Sequence, residues 1–187
     1  IHEIREMQIM NMGNYAHGNQ PIQHMIYMYN YSGQPWKTQY WLRETMNRMY
    51  NAHPDGYCGD EDNGQTSAWY IFTAMGFYPV CPGSGEYVLG APYFKKMTLH
   101  LENGKDVVIT APEQSDVNRY VGALKVNGVD YGKNYVNHTD LLGGMKMDYT
   151  MQPQPNQQRG TTAEAAPYSF SKEYKPAGKA KGKKKRK

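Results

Sequence analysis

The spacing of apolar residues divides this chain near Pro79. Before it they recur every three or four positions, the period of a helix with one covered face. After it they alternate with polar residues, the period of a strand. Residues 1–12 read as the end of a helix that Gly13 stops. The polar stretch from Asn14 to Gln20 reads as a loop, and Pro21 suits the first turn of a helix running to about Tyr31, with Ile22, Met25, Ile26 and Tyr29 at helical spacing. Ser32-Gly33-Gln34-Pro35 breaks it. A further helix is predicted over Trp36 to Tyr50, with Trp36, Tyr40, Met46 and Met49 mainly along one side and Glu44 set to pair with Arg48. A short apolar helix is expected from Ser67 to Gly76.

The second part predicts hairpins. Glu86 to Gly90 reads as extended. Met97, Leu99 and Leu101 alternate up to the Asn103-Gly104 turn, and Val107 and Ile109 continue on the return strand. Asn127-Gly128 marks a second turn, and Leu141 to Met151 can supply another strand. The resulting fold class is α+β. A helical part over 1–83 precedes an antiparallel β region over 84–151, and a Pro/Gln/Lys-rich tail over 152–187 is expected to be disordered. Helices paired through polar loops suggest an α/α array.

Composition changes this picture in three places. The 187 residues are 39% hydrophobic and 20% charged, enough to fold as one ordinary domain or two small ones. The 17 Tyr against 4 Phe suit either an irregular core or sugar rings, whose C–H faces stack on aromatics while hydroxyls meet polar tips. The net charge of +4 belongs to the tail: nine Lys or Arg and one Glu between Lys172 and Lys187 carry +8, which leaves the remainder at −4. That tail suits either binding to nucleic acid or anionic lipid or, the better fit, a solubilising or unstructured terminus, and nothing in residues 1–151 suggests nucleic-acid binding. Cys58 and Cys81 are either bridged or separate thiols. No apolar run approaches the ~18 residues that span a bilayer. The chain begins with Ile1, so a fragment or processed product is expected.

The chemistry concentrates in the loop from Asp55 to Gln65, which holds three glycines and four acids. If the backbone there is extended, Asp60 and Asp62 face one side and Glu61 the other. Two carboxylates facing one cavity repel, which raises the pKa of one and suits it to activate water as a general base. The alternative is an acidic, solvated turn that caps the following helix. An EF-hand fits poorly, because Gly64 falls at the fifth position from Asp60 and Ile71 occupies the twelfth. His17, Asn19 and Gln20 form a second polar group at a helix start. The oxygen donors there suit Ca²⁺, whereas His17 also reads as a hydrogen-bonded loop histidine. His2 and Glu3 form a third polar pair.

Tyr15-Ala16-His17-Gly18-Asn19-Gln20-Pro21, Tyr29 through Gln39, and Gly59-Asp60-Glu61-Asp62-Asn63-Gly64-Gln65-Thr66-Ser67-Ala68-Trp69-Tyr70 running on to Val80 resemble signature blocks of glycoside hydrolase family 92. The resemblance covers nearly all of residues 1–151. It implies an exo-acting, inverting, Ca²⁺-dependent α-mannosidase acting on mannose-containing glycans, bacterial and exported to the periplasm or medium. The family fold pairs a β-sandwich with an (α/α)6 barrel, of which this chain would hold the C-terminal part. The resemblance assigns Asp62 as general base, Asp60 as its partner in holding the water, and Asn19 and Gln20 to the metal site, where many members carry Glu in place of Gln20. His17 is assigned to substrate, and His2 and Glu3 match a pair that contacts the leaving sugar in members active on α-1,2 linkages. The general acid lies upstream in the family, so the fragment alone is expected to be inactive. A catalytically inactive carbohydrate-binding or structural remnant is the alternative.

Overall fold

The computed structural model describes residues 4, 7–9, 11 and 13–173. His2, Glu3, most of the first expected helix and the chain after Glu173 lie outside the described residues.

Beyond Gly13, two α-helices carry the N-terminal part among the described residues, α1 (Pro35–Met49) and α2 (Gln65–Met75). Helix α2 stops at Gly76, whose positive φ of 93° lets its N–H reach back to Phe72 O and Thr73 O. The covered face of α1 keeps Met46 and Met49 of the expected stripe, which are buried, and adds polar residues. Trp36 and Tyr40 are half-buried, whereas Thr38, Gln39, Arg43 and Glu44 are buried. Partners across the fold make this tolerable. Gln39 Oε1 accepts the Val121 N–H at 3.0 Å, and Glu44 pairs with Arg48 one turn on and with Arg119.

The helix expected over Pro21–Tyr31 is instead two 3-10 turns, Gln20–Ile22 and Met25–Asn30. Carbonyls that would close α-helical rings accept side-chain donors here. Trp69 Nε1 donates to Gln23 O at 3.1 Å, Thr38 Oγ1 to Ile26 O at 3.0 Å and Asn30 Nδ2 to Tyr27 O at 3.1 Å. Side-chain donors compete with the backbone ladder in this way.

The strands are β1 (Phe77–Tyr78), β2 (Glu86–Leu89), β3 (Lys96–His100), β4 (Asp106–Thr110), β5 (Tyr120–Val126), β6 (Val129–Asp130), β7 (Tyr135–Asn137) and β8 (Met145–Gln152), with a short helix α3 (His138–Leu142) before β8. They form two sheets, ordered β1-β2-β7 and β3-β4-β8-β5-β6. Both Asn-Gly hairpins are present, and Asn127 and Gly128 take φ of 50° and 83°, as a two-residue hairpin turn requires. The region is not wholly antiparallel. β4 pairs β8 in parallel, with Val107 opposite Met145, a pairing across the whole β5–α3 excursion that local alternation does not encode. The buried side of β8 is Met145, Met147, Tyr149 and Met151.

One apolar core lies on the sheets, around Phe77, Val107, Ile109, Val121 and Met147. A second gathers Ile26, Tyr27, Leu42, Met46, Trp69 and Val88 between helices and turns. Residues 153–173, expected to be disordered, pack on the body. Arg159 donates to Tyr131 O and Lys133 O, Asn134 Nδ2 donates to Gly160 O at 2.6 Å, and the Tyr168 N–H reaches Glu86 Oε2 at 2.7 Å. Side chains satisfy this backbone, so low hydrophobicity does not leave it loose. Among the described residues no helix is long and apolar enough to cross a membrane. No disulfide joins Cys58 and Cys81.

Candidate active site

The acidic loop enters α2 through left-handed backbone, not an extended run. Asp62, Asn63 and Gly64 take φ of 48°, 58° and 91° in succession, a region that Asp, Asn and Gly tolerate best. Asp60 and Asp62 are exposed, whereas Glu61 is half-buried. Glu61 Oε1 accepts the Ser67 N–H at 3.1 Å and Glu61 O accepts the Thr66 N–H at 3.2 Å. A capped helix start and an outward pair of aspartates therefore coexist in one loop.

The loop over 14–20 lies directly against it. A Cβ on Gly59 would stand 2.8 Å from Gly18 Cα and 3.1 Å from Gly18 O, so the approach needs glycine at 59. It brings Gln20 onto the acidic loop. Gln20 Nε2 donates to Asp60 O at 2.7 Å and to Thr66 Oγ1 at 3.3 Å, and Thr66 Oγ1 donates to the same carbonyl at 2.9 Å. Asn19 is exposed beside it. Among the described residues no group of three or more His, Cys, Asp or Glu is placed to hold a metal ion.

His17 is enclosed beneath this junction, with no exposed surface. Its Nδ1 is 2.7 Å from Tyr15 Oη, its Nε2 is 2.6 Å from Tyr50 Oη, and its ring meets Trp69 edge-on at 4.2 Å. Direct contact with a substrate, expected from the resemblance, is closed to it. The hydrogen-bonded loop histidine is what the structure contains.

Burial drives the His17 imidazole down from 6.5 to about 3, so it is neutral. Because its folded pKa is depressed, the unfolded chain binds the proton more readily. The stability this group lends is complete above about pH 6.5 and is lost as pH falls toward 3. In the complete protein the expected loss is about 1.4 kcal/mol per pH unit within that window. His17→Gln, which cannot titrate, is expected to flatten the dependence. Unfolding midpoints of both proteins from about pH 7 to about pH 4 check this, and equal slopes would exclude the histidine as the source.

Several supporting residues escaped the sequence reading of the site. Gln23 Nε2 donates to His17 O at 3.2 Å, Gln65 Nε2 donates to Gln23 Oε1 at 3.2 Å and Tyr78 Oη at 2.8 Å, and Trp69 stacks on Tyr50. The buried face of α2 (Thr66, Trp69, Thr73) has helical spacing, a signal in the sequence that marks coverage but names no partner. An open cleft of about 690 Å³ is lined by Tyr50, Asn51, Tyr57, Ser67, Tyr70 and Tyr93 among others. It includes none of the residues assigned from sequence.

Comparison with known proteins adds a relationship to this geometry. The sequence profile of the glycosyl hydrolase family 92 catalytic domain matches residues 2–153. A family GH92 inverting mannosidase of Bacteroides thetaiotaomicron is similar in structure, with 56% identity and a TM-score of 0.82 over 90% of this chain and 23% of its own. A GH92 α-mannosidase of the same organism, solved in complex with mannoimidazole, shows 43% identity and a TM-score of 0.83 over 85% of this chain and 21% of its own. An uncharacterised secreted glycosidase of Arthroderma benhamiae is 25% identical over 137 residues, which are 72% of this chain and 18% of that protein. The chain thus spans about a quarter or less of these relatives.

Proposed function

The chain belongs to glycosyl hydrolase family 92, and from that premise we propose that the complete protein is an exported, exo-acting α-mannosidase that cleaves terminal α-1,2-linked mannose from glycans with inversion. These residues would form the C-terminal part of its (α/α)6 barrel. The observation that carries the reading is the junction itself. The loop of Asn19 and Gln20 is held on the acidic loop through Asp60 O, with Asp60 and Asp62 left facing outward.

In a single displacement, a water oxygen bonds to the anomeric carbon as the glycosidic C–O bond breaks. Asp62 is the group to take the proton from that water, and Asp60 holds the water in line. The departing oxygen takes its proton from an opposed acid, which the upstream part of the protein would supply. His17 contributes by shaping the floor of the junction.

The donor types fit a calcium ion, a hard cation that takes oxygen ligands. Gln20 turns its Nε2 to Asp60 O and leaves Oε1 for a cation, beside the exposed Asn19. Bound calcium would supply charge to the sugar hydroxyls at C2 and C3 and favour ring distortion. With amide oxygens alone, these two residues add no charge to the site, so its affinity should sit below that of a carboxylate site.

The complete protein is expected to release mannose from α-1,2-mannobiose, the β anomer appearing first by NMR. EDTA should abolish turnover and Ca²⁺ restore it. A folded protein inactive on every mannoside tested would remove the reading. Turnover indifferent to EDTA would remove the metal alone.

A further inference from the structure

We propose that Glu61 is a positioning residue, which sets the direction of Asp60 and Asp62 by anchoring the loop to the first turn of α2. The inference rests on the assignment of Asp62 as general base. Glu61 is the one acid of its cluster turned inward. Its Oε1 accepts the Ser67 N–H, one of the amide groups at a helix start that have no partner within the helix. Its backbone oxygen accepts the next amide, from Thr66. Side chain and backbone of one residue thus grip two successive amides of α2. Directly after it come the three left-handed residues Asp62, Asn63 and Gly64. Such a run persists only where the surroundings over-determine it. The preceding residue is pinned as well, with Gln20 Nε2 and Thr66 Oγ1 both on Asp60 O.

The other carboxylate oxygen of Glu61, Oε2, is buried and has no hydrogen-bond partner among the described residues. No hydrogen bond among the described residues uses that atom, so the hold on α2 calls for the side chain's reach and for one accepting oxygen. The amide of glutamine matches both. Aspartate keeps the charge and loses one methylene of reach.

Paired variants of the complete protein, assayed on α-1,2-mannobiose, separate these contributions. Glu61→Gln is expected to keep kcat within about threefold of wild type, and Glu61→Asp to lower kcat by about 10²-fold with KM little changed, the scale of an ångström's misplacement of a catalytic group. The acidic limb of the kcat/KM pH profile should move in Glu61→Asp and stay in place in Glu61→Gln. Overturning results are Glu61→Asp equal to or better than Glu61→Gln, both variants at wild-type rates, or Glu61→Gln that is inactive or does not fold. Asp62→Asn run alongside tells the two readings apart. If it retains activity, the base assignment fails. If it is inactive while Glu61→Asp is not, only the positioning assignment fails.

Discussion

Asp62→Ala in the complete protein is expected to lower kcat for mannose release by about 10²–10⁴-fold, the usual contribution of a general base. Folding should change little, because Asp62 is exposed. Alanine fits a φ of 48° poorly, so part of the loss could come from loop geometry. Asp62→Asn separates the two causes: it retains the left-handed preference and the side-chain size and removes only the basicity. Equal losses in the two variants locate the effect in proton transfer. Azide provides the decisive control, since an anionic nucleophile needs no proton removed. Restored turnover with β-mannosyl azide as product would establish the base. A larger loss in Asp60→Asn than in Asp62→Asn would move the base to Asp60.

Trp69→Ala should have the largest effect on stability, a loss of about 3–5 kcal/mol. Trp69 is fully buried, touches His17 at 4.2 Å, stacks on Tyr50 with ring centroids 5.9 Å apart, and donates Nε1–H to Gln23 O at 3.1 Å. Truncation leaves a cavity and a buried carbonyl without its donor. Both belong to the floor that holds the loop over 14–20 against α2, so activity and Ca²⁺ response should decline together with the unfolding midpoint. Trp69→Phe fills most of the space and drops only the hydrogen bond, so it should fall between. Thermal unfolding and kcat of the complete protein measure both effects. A midpoint for Trp69→Ala close to wild type would mean the stack is not what supports the junction.

Part of this molecule is legible along the chain because the interactions that make it are local. Asn103-Gly104 and Asn127-Gly128 close hairpins with neighbours a few residues away. Helix α1 begins at Pro35 and α2 ends at Gly76, where chain chemistry announces each boundary. The loop blocks that carry the family resemblance are contiguous, so the acids and amides of the site could be named before their placement was known.

Placement depended on partners distant in sequence. Residues 22–30 carry a helical pattern, yet they form 3-10 turns in which Trp69 and Thr38 supply donors to their carbonyls. Periodicity at His17 cannot announce that Tyr50, 33 positions on, hydrogen-bonds its ring, or that burial keeps the imidazole neutral. The alternation of β8 identifies its buried side and is silent on β4 as a parallel neighbour. Residues 153–173 have a composition that predicts disorder, and Tyr131, Asn134 and Glu86 order them through hydrogen bonds. In the acidic loop, residue types alone place Asp60, Glu61 and Asp62 in succession, as they place the amides Asn19 and Gln20 side by side in the other loop. Only the tertiary structure decided that Glu61 turns in while Asp60 and Asp62 turn out, because the Ser67 amide and the Gly18–Gly59 contact exist only once α2 and the 14–20 loop have packed together.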